Sequence, residues 1–198
     1  HCIWVDPTDG AIYVVSRVSG GTDLITPGSF DQTINGNYDM VVGKYLEPTN
    51  VGGQGTRVWQ TYIGGNGIEN PYAMEQGPDG NLYITGYTAS TNFPMLGGSA
   101  FSGSSVDQQA QAGDDVYVVK INPAGNSIKS AVVGGSGTDY SFDLRIATNG
   151  DVIVGGHTNS NNLATSNSGS GATNSVAGGT DVLLFRLNQN LSAVQWMR

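Results

Sequence analysis

The feature that most constrains this chain is an internal repeat of about seventy residues. Gly10, Gly80 and Gly150 occupy equivalent places in "DGAIYVV", "DGNLYIT" and "NGDVIVG", with 70 residues from each glycine to the next. A second phrase, with an early acid and a later base, recurs as "YDMVVGKYL", "DDVYVVKIN" and "TDVLLFRLN". A third recurs as "TYIGGNGIEN" and "AVVGGSGTDY". A fixed period of this length indicates a repeat architecture.

Each unit contains four strand signals. In the middle unit they are "YAMEQ" (72–76), "NLYITGYT" (81–88), "DVYVVKIN" (115–122) and "SIKSAVVG" (127–134). All are rich in β-branched or aromatic residues and are bounded by Gly, Pro, Asn or Asp. No segment shows the 3.6-residue period of a helix. We therefore predict an all-β chain with almost no helix, in three units at about 1–65, 66–135 and 136–198.

Four short antiparallel strands per repeat are typical of a β-propeller blade. One such sheet cannot bury both faces, but stacked copies can. The fold class predicted is a β-propeller segment of three four-stranded antiparallel blades, with the Gly-Gly pairs at sharp bends between neighbouring blades. Propellers usually close with about 4 to 8 blades. We expect a segment of a larger propeller, completed by the parent chain or by other copies; the alternatives are an assembly of identical three-blade chains and an open arc.

The middle unit carries a family resemblance. "TYIGGNGIENPYAMEQGPDGNLYITGYTASTNFP" and "GDDVYVVKINPAGNSIKSAVVGGSGTDYS" resemble the SBBP (seven-bladed β-propeller) repeat family. The outer units are degenerate, since Val18 and Gly20 replace the Thr and Ser, and "NNLAT" replaces the "NFP". The resemblance implies a secreted or surface-attached bacterial protein, of a family that includes cargo of the type IX secretion system and has no single catalytic activity.

Composition excludes some partners. The net charge is −8, so the chain lacks the basic surface that nucleic acids or anionic membranes require. Cys2 is the single cysteine, which rules out an internal disulfide. No apolar run approaches the roughly 20 residues that span a bilayer. The low charge content, 12 %, favours a secreted or surface β protein.

The long connections between the second and third strands of each unit point to a binding surface. They cover about 19–37, 89–113 and 159–179, and they are rich in Ser, Gly, Asn and Thr. Loops of this length are uncommon unless they are functional or disordered. In an up-and-down sheet they emerge on the same side as the connections between units. The residues predicted to contact a partner there are Asn92, Phe93, Ser102, Ser104, Asn159, Asn161, Asn162, Glu69 and Asp139.

Acids recur on the same side, and they leave two interpretations open. Asp39, Asp115 and Asp181 begin the third strands, while Glu69 and Asp139 share one repeat position. They could form a ring of carboxylates for Ca²⁺ or a cationic partner. Alternatively, each could accept backbone N–H groups at the start of a strand, which we favour. "DQTINGNYD" (31–39) partly matches a calcium loop, but Val42 stands where the last acid belongs. No cofactor is therefore predicted, with Ca²⁺ kept as an alternative.

Signatures of catalysis are missing. The sequence has no GxSxG, HExxH or P-loop motif, and the Gly-rich phrases do not lead into a helix. His157 is expected to form local hydrogen bonds, and His1 and Cys2 lack the spacing of a zinc site. Trp59 and Trp196 lie on predicted fourth strands, where they either pack between blades or stand exposed to stack on a sugar or a partner.

The sequence therefore predicts a non-catalytic extracellular module. It would act as a rigid scaffold or binding surface for a protein or glycan partner at the long loops, since loops of this composition adapt their hydrogen bonds. The alternative is a polysaccharide lyase or hydrolase with its site in a central channel, which predicts clustered acids, His or Tyr there. A third possibility is a spacer whose loops contact nothing.

Overall fold

A computed structural model describes residues 2–20, 25–107, 113–163 and 179–198. The fold is all-β, as predicted, and consists of three consecutive antiparallel sheets. The described residues contain no helix, and therefore none long and apolar enough to cross a membrane.

Each sheet is built from consecutive strands of one repeat. The first sheet contains β1 (Cys2–Val5), β2 (Ile12–Val18), β3 (Asp39–Leu46) and β4 (Thr56–Ile63). The second contains β5 (Glu69–Gln76), β6 (Leu82–Thr88), β8 (Asp115–Ile121), β9 (Ile128–Val133) and a short edge strand, β7 (Leu96–Gly97). The third contains β10 (Asp139–Ile146), β11 (Val152–Thr158), β12 (Asp181–Leu187) and β13 (Val194–Met197). The four strands predicted for the middle unit are all present.

The turn between the first two strands carries its anchor glycine in the same backbone conformation in all three sheets. Gly10, Gly80 and Gly150 have positive φ angles of 72°, 74° and 87°, a region that glycine enters without a steric penalty. Each glycine N–H donates to a carbonyl at the start of its turn, at 2.8 or 2.9 Å. The first turn, "DPTDGA", is one residue longer than "GPDGN" of the second sheet. The three anchor glycines therefore share a left-handed conformation, while the turns of the second and third sheets also share their hydrogen-bond spacing.

The middle sheet is buried on both faces. Along β8, Tyr117, Val119 and Ile121 face a core shared with the first sheet, while Val116 and Val118 face a core shared with the third. All of them are buried, and each fully buried apolar side chain of this size contributes about 1.5–3 kcal/mol. The three sheets therefore stack face to face in chain order, with one hydrophobic core at each junction.

The long connections of the first two units lie along the outer edges of their sheets. In the first unit, the N–H of Thr26 donates to Gln60 of β4 and the N–H of Tyr62 donates to Asp31, both at 3.1 Å. In the middle unit, β7 pairs antiparallel with β9, so this sheet has five strands rather than the predicted four. The middle connection therefore does not remain at the end of the sheet where the sequence placed it.

The two ends of the stack expose apolar sheet faces. On the first sheet, Ile3, Val5 and Val14 point away from the second sheet, and Ile3 is 65 % exposed. On the third sheet, Val182 and Leu184 point away from the second sheet, and Val182 is 78 % exposed. The cores thus lie inside the stack, and its two outer faces have apolar character without cover from the described residues.

Candidate functional site

A buried glutamate ties the first sheet to the second. Glu69, the first residue of β5, is fully buried, and its Oε1 accepts the hydroxyl hydrogens of Thr88 at 2.7 Å and Ser90 at 2.5 Å. Its Oε2 accepts the N–H of Gly65, in the connection between the sheets, at 3.1 Å. We call this set of residues the latch, and the end of the strands that carries it the latch end.

The same latch recurs between the second and third sheets. Asp139 is fully buried at the start of β10, and its Oδ2 accepts the hydroxyl of Ser160 at 2.8 Å and the N–H of Gly135 at 2.9 Å. The N–H of Ser160 donates to Thr158 Oγ1 at 2.9 Å. Two of the residues predicted to contact a partner, Glu69 and Asp139, therefore hold neighbouring sheets together from inside.

Two of the predicted asparagines also brace the connections between sheets. Asn92 Oδ1 accepts the N–H of Asn66, and Asn162 Oδ1 accepts the N–H of Ser136, both at 2.7 Å. Because the two pairs lie at equivalent positions, they belong to the repeat itself. Their side chains remain exposed, so the prediction that they contact a partner stays a prediction.

The remaining predicted residues at the latch end differ in exposure. Asn159 Oδ1 accepts the N–H of Thr138, and both Asn159 and Asn161 are exposed. Phe93, in contrast, is buried and stacks on Tyr117 at 5.0 Å between ring centroids. Phe93 therefore packs in the first core and does not form part of the exposed surface.

The Gly-Gly pairs provide space for carboxylates. A Cβ on Gly64 would collide with the carboxylates of Asp39 and Glu69, and one on Gly134 would collide with that of Asp115. Neither glycine has a positive φ. Close approach therefore requires glycine at these two positions, which lie between neighbouring sheets, where the sequence placed them.

The carboxylate at the start of β3 has a structural role, as favoured from the sequence. Asp39 is fully buried and accepts the backbone N–H groups of Asn35 at 2.9 Å and Gly36 at 3.2 Å. For Asp115 and Asp181, which begin the equivalent strands β8 and β12, a structural role stays a prediction. Burial raises the pKa of Asp39, and burial together with the nearby Asp39 carboxylate raises the pKa of Glu69.

The segment that resembles a calcium loop forms a closed set of local hydrogen bonds. Asp31 accepts the N–H of Thr33 at 2.9 Å and the side-chain amide of Asn35 at 2.6 Å. Across the described ranges, no group of three or more His, Cys, Asp or Glu side chains is arranged to hold a metal ion. The polar side chains of this loop therefore contact one another.

An aromatic cluster that the sequence did not reveal spans the second and third sheets at the latch end. Tyr87 lies 4.4 Å from Tyr140, and Tyr72 lies 5.7 Å from Phe142, between ring centroids. His157 lies about 5 Å from both Tyr140 and Phe142. Tyr72 and Phe142 are exposed, and each occupies a β-bulge where its strand gains a residue. We call these five rings the aromatic surface.

The aromatic surface has polar neighbours at its margin. The hydroxyl of Tyr140 donates to Asp114 Oδ2 at 2.7 Å. Burial, then this hydrogen bond, raises the pKa of Tyr140 well above its usual value, so the phenol remains protonated. In the first sheet, Arg17 stands at the repeat position of Tyr87 and His157 and lies 4.7 Å from the ring centroid of Tyr38. Hydroxyl, imidazole and guanidinium groups therefore accompany the exposed rings.

A cleft of about 390 Å³ opens at the opposite end of the strands, which we call the turn end. It contains the predicted contact residues Ser102 and Ser104, brought there because their connection runs along the edge of the second sheet. The other lining residues are Ala100, Phe101, Gly103, Lys120, Lys129, Asn190 and Ser192. The nine residues predicted to contact a partner are therefore divided between the latch end, the interior and this cleft.

The tryptophan predicted on β4 is a packing residue. Trp59 is buried, and its Nε1 donates to the carbonyl of Pro123, in the last turn of the second sheet, at 2.8 Å. Its ring lies against Gly125 and Tyr13. Packing between sheets, rather than exposure to a sugar, is therefore the role of Trp59.

Comparison with protein-family models and with curated proteins assigns no relative. No protein-family model matches the chain, and a search of curated proteins gives no significant match. The resemblance to the SBBP repeat family therefore stays a prediction.

Proposed function

We propose that the chain is a non-catalytic module of a secreted or surface-attached bacterial protein, in which a rigid stack of sheets presents the aromatic surface to a glycan or protein partner. The observation that carries the proposal is the set of five neighbouring rings, of which Tyr72 and Phe142 are exposed. Exposed aromatic side chains supply a large contact area with little loss of conformational entropy on binding.

The position of the rings on strands supports binding. Tyr72 and Tyr87 belong to β5 and β6, while Phe142 and His157 belong to β10 and β11. The latch and the second core hold these strands, so the rings are ordered before a partner arrives, which lowers the entropic cost of association.

The burial of the acids argues against the hydrolase form of the enzyme alternative. A glycoside hydrolase uses a pair of carboxyl groups that flank the bond to be broken. Glu69 and Asp139 are fully buried and hydrogen-bonded to the protein, so neither reaches a substrate in this structure. The raised pKa of Glu69 follows from burial between sheets.

Truncation of the two exposed rings tests the binding surface. We expect the Tyr72→Ala, Phe142→Ala double variant to lose about tenfold or more of the glycan-array signal of the native chain, because each ring contributes on the order of 1 kcal/mol or more. The exposed Val51→Ala change, in the turn before β4, is the matched control and should leave the signal unchanged. An unchanged signal in the double variant would contradict the proposal, whereas a native chain that binds no glycan would leave a protein as the partner.

The scaffold part of the proposal is supported by the repeat. On the third sheet, Val182 and Leu184 occupy the repeat positions of Val116 and Val118, which the third sheet itself covers completely. A further sheet of the same kind would bury the exposed pair in the same way. The further sheet would need an apolar face like the one that the third sheet packs against the second.

The opposite end of the stack supplies the complementary face. Val14 and Ile3 form a cross-strand pair on the first sheet, at the positions of Ile84 and Met74, which face the first core. The outer face of the first sheet therefore has the character of a face that packs on a preceding sheet. We infer that the isolated chain associates head to tail, with the first sheet of one copy on the third sheet of another.

Two charged substitutions test this direction of association. Ile3→Glu and Val182→Glu should each give a monomer in sedimentation velocity, because a buried unpaired carboxylate opposes docking. A mixture of the two variants should form a one-to-one dimer, since each retains the face that the other needs. Restoration would exclude a symmetric contact between identical faces. A mixture that remains monomeric, or a native chain that is monomeric at high concentration, would refute head-to-tail stacking.

A further inference from the structure

The cleft at the turn end lies beside the second sheet. Among the three described sheets, this is the one in which two lysines face each other across the third and fourth strands of the repeat. A basic residue on the third strand pairs with an aromatic residue on the fourth in two sheets: Lys44 with Trp59, and Arg186 with Trp196. In the middle sheet, Lys120 pairs with Lys129. Like charges directly opposite each other in a sheet are destabilising, so this pair requires an explanation.

The exchange of tryptophan for lysine also shapes the cleft. Trp59 fills the space above the last turn of the second sheet and lies against Gly125. At the next junction, the equivalent of Gly125 is Leu191, which is buried and adopts a left-handed φ of 52°. Leu191 fills part of the space that an indole would occupy, and Lys129 leaves the remainder open. A left-handed leucine costs on the order of 1–2 kcal/mol, so this junction departs from the repeat at two positions.

Within the cleft, the two ammonium groups have unequal partners. Lys120 Nζ lies 2.7 Å from Asp79 Oδ2, and the same base–acid contact recurs as Lys44 with Asp9, at 3.5 Å. Lys129 Nζ donates to the carbonyl oxygen of Ser102 at 2.9 Å. Among the described residues, no carboxylate lies within ion-pair distance of Lys129. Two lysines therefore line the cleft, and a single carboxylate, that of Asp79, pairs with one of them.

Burial makes this excess positive charge significant. Lys120 is 6 % exposed and Lys129 is 4 % exposed, so water screens neither well. Burial, then the charge of Lys120, lowers the pKa of Lys129. An anion in the cleft would offset both the burial of the two ammonium groups and the repulsion between them. It would neutralise the lysine pair and accept the remaining N–H donors of Lys129.

The walls of the cleft indicate what carries the anion. Ser102, Ser104 and Ser192 supply hydroxyl groups, and Asn190 supplies an amide that both donates and accepts hydrogen bonds. Phe101 adds an apolar ring within 5.3 Å of Lys120 Nζ. Hydroxyl and amide groups beside a ring match the polar edges and apolar face of a sugar, and the volume falls in the range of small-ligand sites.

We propose that this cleft binds an anionic saccharide, with its carboxylate between Lys120 and Lys129. The site is separate from the aromatic surface, which lies at the other end of the strands, and binding here does not require the aromatic surface or association between copies. Lys129 is the specificity-determining residue, because Lys120 already has Asp79 as its partner.

Isothermal titration of the full chain with trigalacturonic acid tests the proposal. The native chain should bind this acid, and the affinity should fall as salt rises, because the contact is between charges. Its neutral methyl ester should bind at least about tenfold more weakly. Lys129→Met should lose at least about tenfold in affinity for the acid, and Lys129→Arg should retain most of it.

The controls separate a site from unspecific attraction. Arg145→Gln removes an exposed positive charge on the third sheet and should leave the affinity for trigalacturonic acid unchanged. Sodium sulfate should compete weakly, because it lacks the groups that contact the walls. Equal binding of acid and ester, equal affinity of the native chain and Lys129→Met, or no binding of the acid by the native chain would each overturn the proposal. If Lys129→Met stays folded but loses affinity for trigalacturonic acid, the cleft is the binding site, and this result does not bear on the proposed aromatic surface.

Discussion

Gly156→Ala is expected to lower the free energy of unfolding by about 3 kcal/mol, while Gly155→Ala is expected to leave it unchanged or raise it by about 0.5 kcal/mol. A Cβ at position 156 would overlap the carbonyl oxygen of Tyr140 and press on Ser141, both backbone atoms of the bulged strand β10. A Cβ at position 155 has no heavy atom within 4 Å. The two glycines are neighbours on one strand, so the change in strand propensity from glycine to alanine is the same in both variants.

Chemical denaturation of both variants measures this difference. The midpoint should fall for Gly156→Ala with an unchanged slope, because the exposed area on unfolding stays the same. Gly86 has the same environment in the second sheet, where a Cβ would overlap the carbonyl oxygen of Asn70. Ser16 stands at this position in the first sheet, beyond the described residue pairs of β1 and β2. Equal midpoints for the two alanine variants would show that the bulge does not require glycine.

Glu69→Ala should destabilise the chain by about 3 kcal/mol, because it leaves a cavity and unpairs the hydrogen-bond donors of Gly65, Thr88 and Ser90. Glu69→Gln keeps the shape of the side chain and should cost much less stability.

The native chain and Glu69→Gln should also differ in the pH dependence of their stability. The folded chain holds the Glu69 proton more tightly than the unfolded chain, since burial raises its pKa above the usual value of 4.5. The native chain should therefore be most stable, relative to Glu69→Gln, below about pH 4.5, and it should lose this advantage as pH rises through the raised pKa.

Denaturation midpoints of the native chain and Glu69→Gln between pH 4 and pH 8, roughly the window over which a raised carboxyl pKa acts, check the sign. The comparison removes the opposite contribution of Asp6, whose pKa is lowered to about 2 by hydrogen bonds from Thr8 and Gln76, because both proteins contain it. Parallel curves for the two proteins over the whole range would mean that Glu69 does not hold a proton in the folded chain.

The sheets could be predicted from the sequence because their signals are local. Alternating β-branched residues and a turn glycine such as Gly80 lie within one strand pair, and the period of the repeat then places the copies. The latch was partly predictable, since Glu69 and Asp139 share a repeat position. Their burial was not, because it depends on how closely Gly64 and Gly134 allow the next sheet to approach.

The surfaces were harder to predict because they depend on register. Tyr72 and Phe142 are exposed only because each strand gains one residue, and a bulge has no distinct sequence signal here. The two-residue strand β7 has no periodicity of its own and forms where an edge is available. The unusual position of Lys129 is visible in the sequence, because Trp59 and Trp196 stand at the equivalent place in the other two repeats. Recognising that equivalence requires the register of each fourth strand, which the structure supplies.

The segments along β4 and β9 have a consequence for how such molecules assemble. Unpaired strand edges are where sheets add laterally and form ribbons, and in the first two sheets the chain's own connections occupy those hydrogen-bonding positions. Lateral addition of a strand at these two edges is therefore blocked, so a further sheet would meet the chain through the exposed faces at the two ends of the stack.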